Sequence, residues 1–573
     1  MRGVIKTRSI LLLKNGYTCS GCYRFWNHVF WIRSFAYANR ASPKIITNDV
    51  WPQQIGSLKT NTVLQYDSNY QNVIKWGNPA LAQKQTRKTK NLSVSKSVEL
   101  FKLHLGNLPQ NEKPPLPHQL SCEKAISDYL RESGKLIKET ISTRWHGLKF
   151  FEHVLLVISI PTEFDDRAKD TMRKCLYNAG LTNSKESNKI EFTTEPEAAA
   201  IYCMRNLEEQ NKQNKQNKRL VPVNSSFMVV DCGGGTVDLT TRKLLRDNKL
   251  SEITERTGDF CGGSYVDREF IKFLSRKLGR ATINLLTENN YGQLQYMIQQ
   301  FCSKLKFHFT GNPVGFEPFE FDIEEICPIL KQYCNDEIKE KMEDDDWIIY
   351  IEFEDLKSMF DPAIGKIIRL IRGQLSSSNE VCNAIFLVGG FSESKYLQMR
   401  VKEEFGPPII VPRQPIAAVV RGACDYGLKM STIVDRTLKY TYGIKVARYR
   451  RAGDPKSQIV PEAQYLTYEF DRLVTRGTKV GVDEKFSDTY IPPDPKQKSI
   501  SFPIYTTTEL NAKFCNEPGM RYHGELQIKL PDVHLGKSRK IEFSLIFGKL
   551  ELVAKARNVN TGKSYETIFE LDF

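Results

Sequence analysis

Eleven residues constrain this chain more than any others: Val229-Val-Asp-Cys-Gly-Gly-Gly-Thr-Val-Asp-Leu239. The apolar run Phe227-Met-Val-Val230 reads as a fully buried strand. It delivers Asp231, then three glycines and Thr236, then a second carboxylate, Asp238. Gly233, Gly234 and Gly235 carry no Cβ, so their backbone N–H groups are open to close approach by phosphate oxygens. Thr236 adds a hydroxyl donor. Asp231 and Asp238 offer hard oxygen ligands of the kind that hold hydrated Mg²⁺ against phosphates. No Lys-Ser or Lys-Thr follows the glycines, and Val237-Asp-Leu-Thr240 alternates like a strand. That excludes a Walker-type loop running into a helix. The pattern predicts a phosphate-gripping strand–turn–strand hairpin, with an ordinary glycine hairpin as the competing reading.

Three weaker signals surround it. Thr194-Glu-Pro-Glu-Ala-Ala-Ala200 opens a helix, with Pro196 suited to the first helical position. Glu195 just before it can position water beside a phosphate, although Glu-Pro helix starts are common in themselves. Ile385–Ser392 ends a strand on Gly389 and Gly390, which suits either close approach to a flat ring or ribose or a tight strand-to-helix turn. Thr257-Gly-Asp-Phe-Cys-Gly-Gly263 is a third glycine-rich turn, containing Gly262 and Gly263 and followed by Asp267.

The elements carrying these motifs are α/β. Val154–Ile160 is an apolar strand ended by Pro161, a helix follows over 165–179, and Ala384–Val388 is a further buried strand. Such strands alternating with helices predict a sheet covered on both faces. The polar run Glu208–Arg219 cannot bury anything and reads as a loop insertion, at about 206–220. From 460 onward short alternating strands, such as Leu466–Phe470, Ser499–Ile504 and Lys540–Ile546, predict a separate antiparallel β domain.

Charge and cysteine usage exclude several classes. The formal net charge is +15, but residues 1–60 hold nine of the basic side chains and only Asp49 as an acid. The rest of the chain is nearly balanced, so a nucleic-acid-binding surface is not expected. No apolar run is long enough to span a membrane. The 13 cysteines are scattered, with Cys19/Cys22 the one close pair and no second pair to complete a zinc ribbon. Reduced thiols in a cytoplasmic protein are expected. Residues 1–33 are acid-free and aromatic-rich, and read as an atypical or misassigned basic N-terminal segment, with a targeting segment as the alternative.

In order, the Pro161 strand, Glu195-Pro, Asp231-Cys-Gly-Gly-Gly-Thr-Val-Asp238, Gly262-Gly263 and Gly389-Gly390 resemble the heat-shock protein 70 family. The likeness is to its divergent 12A-like type, within the actin-like ATPase superfamily. It implies a two-lobed actin-like (ribonuclease H-like) fold over 34–430 and a β substrate-binding-like domain over 435–573 without a helical lid. It implies ATP or ADP with Mg²⁺ as cofactors, unfolded or extended polypeptide as client, and co-chaperones as further partners. Asp231, Glu195 and Asp238 would be catalytic, with Asp231 and Asp238 on the metal. Gly233, Gly234, Gly235, Thr236, Gly262, Gly263, Lys304, Gly389 and Gly390 would hold the nucleotide.

Two departures stand out. The family's opening strand carries Asp-x-Gly-Thr-Thr, and Asn27–Arg33, read as its place here, has none of those residue types. Glu393 stands where the family tends to have an Arg near the adenine. Nucleotide binding is therefore expected more than fast hydrolysis. The leading reading is an ATP-binding, chaperone-like protein whose nucleotide state biases client binding. The alternative is a non-hydrolysing scaffold with a degenerate nucleotide site. A metabolite kinase would need a catalytic Asp in the cleft that the sequence does not locate.

Overall fold

The fold is described from a computed structural model covering residues 9–14, 31–34, 46–82, 97–106, 108–144, 146–162, 164–213, 221–461, 463–547 and 550–568. The chain divides into two compact units. The first comprises 1–164, 171–244 and 257–430; the second comprises 165–170, 245–256 and 431–573. The loop insertion expected at about 206–220 is helical over 206–213, where it continues a helix, and 214–220 lie outside the described residues.

The first unit is built on two sheets of the same pattern. One contains β1 (Ser9–Lys14), β2 (Trp31–Ser34), β3 (Ile46–Thr47), β4 (Val154–Ile160) and β5 (Ile190–Thr194), in the order β5-β4-β1-β2-β3. β1 runs parallel to β4, with Lys14 opposite Ser159, and antiparallel to β2. The other contains β6 (Ser226–Cys232), β7 (Val237–Leu244), β8 (Thr257–Asp259), β9 (Cys382–Val388) and β10 (Ile409–Ile410). There β6 is parallel to β9 and antiparallel to β7, which pairs in turn with β8. β1 and β6 therefore hold corresponding places. This is the two-lobed α/β architecture that the sequence led us to expect.

One boundary differs. The atypical segment 1–33 does not stand apart, because β1 and most of β2 fall within it and complete the first sheet. The strand corresponding to β6 is thus Ser9–Lys14, and the residues leaving it begin Asn15-Gly-Tyr-Thr18. Reading Asn27–Arg33 as the place of the first phosphate loop was misplaced: Trp31–Arg33 belong to the return strand β2, and 15–30 lie outside the described residues.

Helices cover the sheets: α1 (Cys122–Arg144), α2 (Asp166–Asn178), α3 (Glu195–Gln213), α4 (Ser264–Leu278), α5 (Tyr291–Phe301), α6 (Phe353–Ser376) and α7 (Ala418–Leu428). β6 and β9 are buried almost throughout, as strands covered on both faces must be. α4, α5 and α6 pack Phe270, Phe301, Phe360 and Ile364 into one core with Val230 and Leu387. α3 and α7 cross closely through small side chains. Ala198, Ala199 and Ala200 are fully buried, and a Cβ on Gly422 would overlap the Ala198 carbonyl oxygen.

The second unit contains an antiparallel β structure of two sheets. One orders β12-β13-β11-β15-β16, from β11 (Thr441–Tyr449), β12 (Ile459–Val460), β13 (Ala463–Val474), β15 (Ser499–Thr507) and β16 (Arg521–Lys529). The other orders β14-β17-β18-β19, from β14 (Lys485–Tyr490), β17 (Ile541–Ile546), β18 (Val553–Asn558) and β19 (Ser564–Ile568). Their inner faces meet at Ile444, Ile504, Ile528 and Leu545, and Phe502 stacks on Phe543 at 4.6 Å between centroids.

The α3/α7 crossing yields a prediction. Gly422→Ala drives a methyl into a backbone carbonyl that no side-chain rotation can move. It should destabilise the protein by about 3 kcal/mol, read as a lowered unfolding midpoint in urea. An unchanged midpoint would mean that the helices are not in this register.

Candidate nucleotide site

The β6–β7 hairpin builds the site. Asp231 and Asp238 face each other across it as paired residues and are buried. Between them the loop folds on itself through Gly233 N–H to the Thr236 carbonyl, at 2.9 Å. Its carbonyls then turn towards the third glycine-rich segment. Gly262 N–H donates to the Gly235 oxygen at 3.2 Å, Gly263 N–H to the Gly233 oxygen at 2.9 Å, and Ser264 N–H to the Gly234 oxygen at 2.7 Å. The Ser264 hydroxyl adds a bond to the Gly234 oxygen at 2.6 Å. With all three carbonyls engaged, the N–H groups of Gly234, Gly235 and Thr236 donate to no acceptor among the described residues. A run of outward amides is an anion-binding nest.

Glycine is required here for closeness. A Cβ on Gly262 would lie 2.6 Å from the Gly233 oxygen. Gly258, paired with Asp238, leaves room for that carboxylate: a Cβ would stand 2.9 Å from Oδ1. Gly389, at φ +83°, leaves the same room for the Asp231 carboxylate, which a Cβ would displace. Gly389 N–H is held by the Pro415 carbonyl at 3.0 Å, and Gly390 follows in helical conformation at the start of a short turn. The motifs Gly258–Gly263 and Gly389-Gly390 thus converge on the hairpin, although both lie well beyond its end at Leu244 in the chain.

The first sheet's side of the site contributes three groups. Thr162 N–H, just beyond β4, donates to Asp238 Oδ1 at 2.9 Å. Glu195 begins α3, is buried, and has Oε1 3.7 Å from Lys102 Nζ. Lys102 is itself buried on a short turn over Phe101–Leu105. Sequence reasoning did not single out Lys102; the sole hint was a lysine inside the otherwise apolar run Leu100–Leu103. The start of α3 is tied to the second sheet by a fully buried ion pair, Glu197 Oε2 to Arg242 on β7, at 3.4 Å. Thr193 donates to Glu197 Oε1 at 3.2 Å.

Lys304 does not fit the expectation. It is exposed, while Lys306 is buried, 2.6 Å from both the Gly263 carbonyl and Asp267 Oδ1. The buried stripe of α5 and the following π-turn runs Ile298, Phe301, Cys302, Leu305 and Phe309, which leaves position 304 on the outside. Gly263 also packs against Phe391. Glu393 is exposed. Burial pushes the Cys232 thiol beside Asp231 up to about 12, so it is neutral and adds no charge to the site.

The donor set fits a nucleotide with a metal ion. Among the described residues no three His, Cys, Asp or Glu side chains form a group that could hold a metal alone. Two carboxylates beside an amide nest suit a cation shared with phosphate oxygens and water, as Mg²⁺ commonly is. Arg242→Met removes the guanidinium from the buried Glu197 carboxylate, so it should cost about 3–5 kcal/mol of stability. Melting of the purified variant checks this, and an unchanged melting temperature would contradict the coupling.

No protein-family model matches the chain. It is 26% identical over 507 residues to heat shock 70 kDa protein 12A of Mus musculus, covering 77% of this chain and 72% of that protein. Heat shock 70 kDa protein 12B of Homo sapiens is 24% identical over 510 residues, with 77% and 72% covered. A mitochondrial-type heat shock protein 70 of Encephalitozoon hellem is 24% identical over 302 residues, covering 50% of this chain and 43% of that protein. With the paired sheets and the glycine-cradled carboxylates, the chain is thus similar to heat shock 70 kDa proteins of the divergent 12A and 12B type over about three quarters of its length.

Proposed function

We propose that the protein binds ATP and ADP and uses nucleotide state to bias binding of an extended polypeptide by its β unit. The observation that carries this reading is the carbonyl-in, amide-out geometry of Gly233–Thr236 beside Asp231 and Asp238. The amides of Gly234, Gly235 and Thr236 would hold phosphate oxygens. Asp231 and Asp238 would hold Mg²⁺, which supplies charge neutralisation at the phosphates when bound. Glu195 would orient the attacking water, and Lys102 would stabilise negative charge opposite the nest. Lys306, rather than Lys304, would lie on the nucleoside side, beside Gly263. For client coupling, the two nucleotide states must differ in affinity for the client. Cytoplasmic residence and co-chaperone partners belong to this proposal; among the described residues no helix is long and apolar enough to cross a membrane.

One observation favours the alternative of a binding protein that hydrolyses poorly. β6 carries Asp231 as its penultimate residue, whereas its counterpart β1 ends Leu13-Lys14, and no Asp or Glu precedes Asp49. The first sheet's opening strands therefore supply no carboxylate for metal or water. Nucleotide binding, which the second sheet can support by itself, survives that loss better than hydrolysis does.

Thermal shift with ATP and magnesium separates these roles. At 100-fold excess over Kd the nucleotide should stabilise the wild type by about 2.7 kcal/mol, and Asp231→Ala or Asp238→Ala should abolish the shift. Glu195→Gln should keep the shift and lower phosphate release by about 10²–10⁴-fold if the wild type hydrolyses ATP. A full shift in both Asp variants would reject the site. Phosphate release no faster than buffer alone, with the shift intact, would establish the non-hydrolysing alternative.

A further inference from the structure

The outer face of the β11–β13 pair carries a run of aromatic and basic side chains that the nucleotide site does not use. Lys445, Ala447 and Tyr449 alternate with the core residues Ile444 and Val446 and lie opposite Phe470, Tyr468 and Leu466. They therefore face away from the sandwich interior. Tyr449 is 67% exposed and Tyr465 is 63% exposed, yet their rings stack at 6.1 Å between centroids. Lys445 Nζ sits 3.8 Å over the Tyr468 ring. The run continues across the sheet to the Tyr505–Tyr522 pair, 5.5 Å apart. Single exposed aromatics are ordinary, but Tyr449 and Tyr465, which project from alternate positions and meet at the end of the hairpin, form an exposed cluster that marks a contact surface.

The loop that closes this hairpin sets its charge. Arg448 grips both nearby carboxylates, with bonds of 2.8 and 2.9 Å to Asp454 and a further bond to Glu469. That leaves Arg450, Arg451 and Lys456, all exposed, with no ion-pair partner among the described residues. Within the tip, Arg451 N–H also bonds Asp454 at 2.7 Å. Rigid tyrosines offer large contact area at little entropic cost, and the excess cations complement negative charge.

We infer that this face selects extended polypeptide segments rich in Asp and Glu around an apolar or aromatic core. The inference rests on the client reading above and specifies its substrate class. A strand-like segment presents alternate side chains at the spacing of Lys445, Ala447 and Tyr449, so its apolar residues can meet the tyrosines while its carboxylates reach Arg450, Arg451 and Lys456.

The test uses the full chain and fluorescence anisotropy with three labelled peptides that share one Leu/Tyr core, flanked by Glu, Ser or Lys. The Glu-flanked peptide should bind about tenfold tighter than the Lys-flanked one at low salt, as a few exposed ion pairs allow. The double variant Arg450→Glu/Arg451→Glu, with an unchanged melting temperature, should reverse that order, and Tyr449→Ala should weaken all three peptides. Equal or tighter binding of the Lys-flanked peptide overturns the inference and leaves the client reading standing. Preference for phosphatidylserine vesicles without discrimination among the peptides also overturns it. No binding of any peptide overturns the client reading and this inference together.

Discussion

Three backbone hydrogen bonds hold the site in shape: Gly262, Gly263 and Ser264 donating to the carbonyls of Gly235, Gly233 and Gly234. A glycine loop has many conformations, and most of them would present a mixture of carbonyls and amides to the cleft. Fixing all three carbonyls against α4 removes that freedom and leaves the amides pointing the other way. The charge an anion meets is then set by backbone geometry before any ligand arrives, so little reorganisation is needed on binding. The close approach this requires explains why Gly262 has no room for a side chain.

The same logic extends across the two sheets. Asp238 is held from the first sheet's side by Thr162 N–H, and Glu195 is carried on a helix whose next acidic residue, Glu197, is paired in the interior with Arg242 of β7. The helix start and the phosphate hairpin are thus mechanically joined. A displacement of the hairpin would be passed to α3 through the Glu197–Arg242 pair.

Much of this was legible from residues 227–240, because an apolar strand, two carboxylates and three glycines each have a narrow set of uses. The buried strands at 154–160 and 384–388 and the alternating strands after 460 were legible for the same reason. The rest depended on tertiary neighbours. Gly258, Gly262 and Gly389 look alike in the sequence; only packing shows that each makes room for a particular carboxylate or carbonyl. Lys102 and Lys306 were missed because a buried lysine has no local signature, and Lys304 was preferred although it falls off the apolar stripe of its own helix. β1 escaped notice because Ser9–Lys14 is short and followed by aromatic residues, so its place was given to Asn27–Arg33; its pairing with β4 is a contact across more than 100 residues of chain.

Amide hydrogen exchange, resolved to single residues on the full chain with and without ADP and magnesium, tests the central claim most directly. Without nucleotide, the amides of Gly262, Gly263 and Ser264 should already be protected, while those of Gly234, Gly235 and Thr236 exchange readily. On adding nucleotide the second set should slow and the first remain as it was. Protection of Gly234–Thr236 in the free protein, or indifference of those amides to saturating nucleotide, would contradict the account.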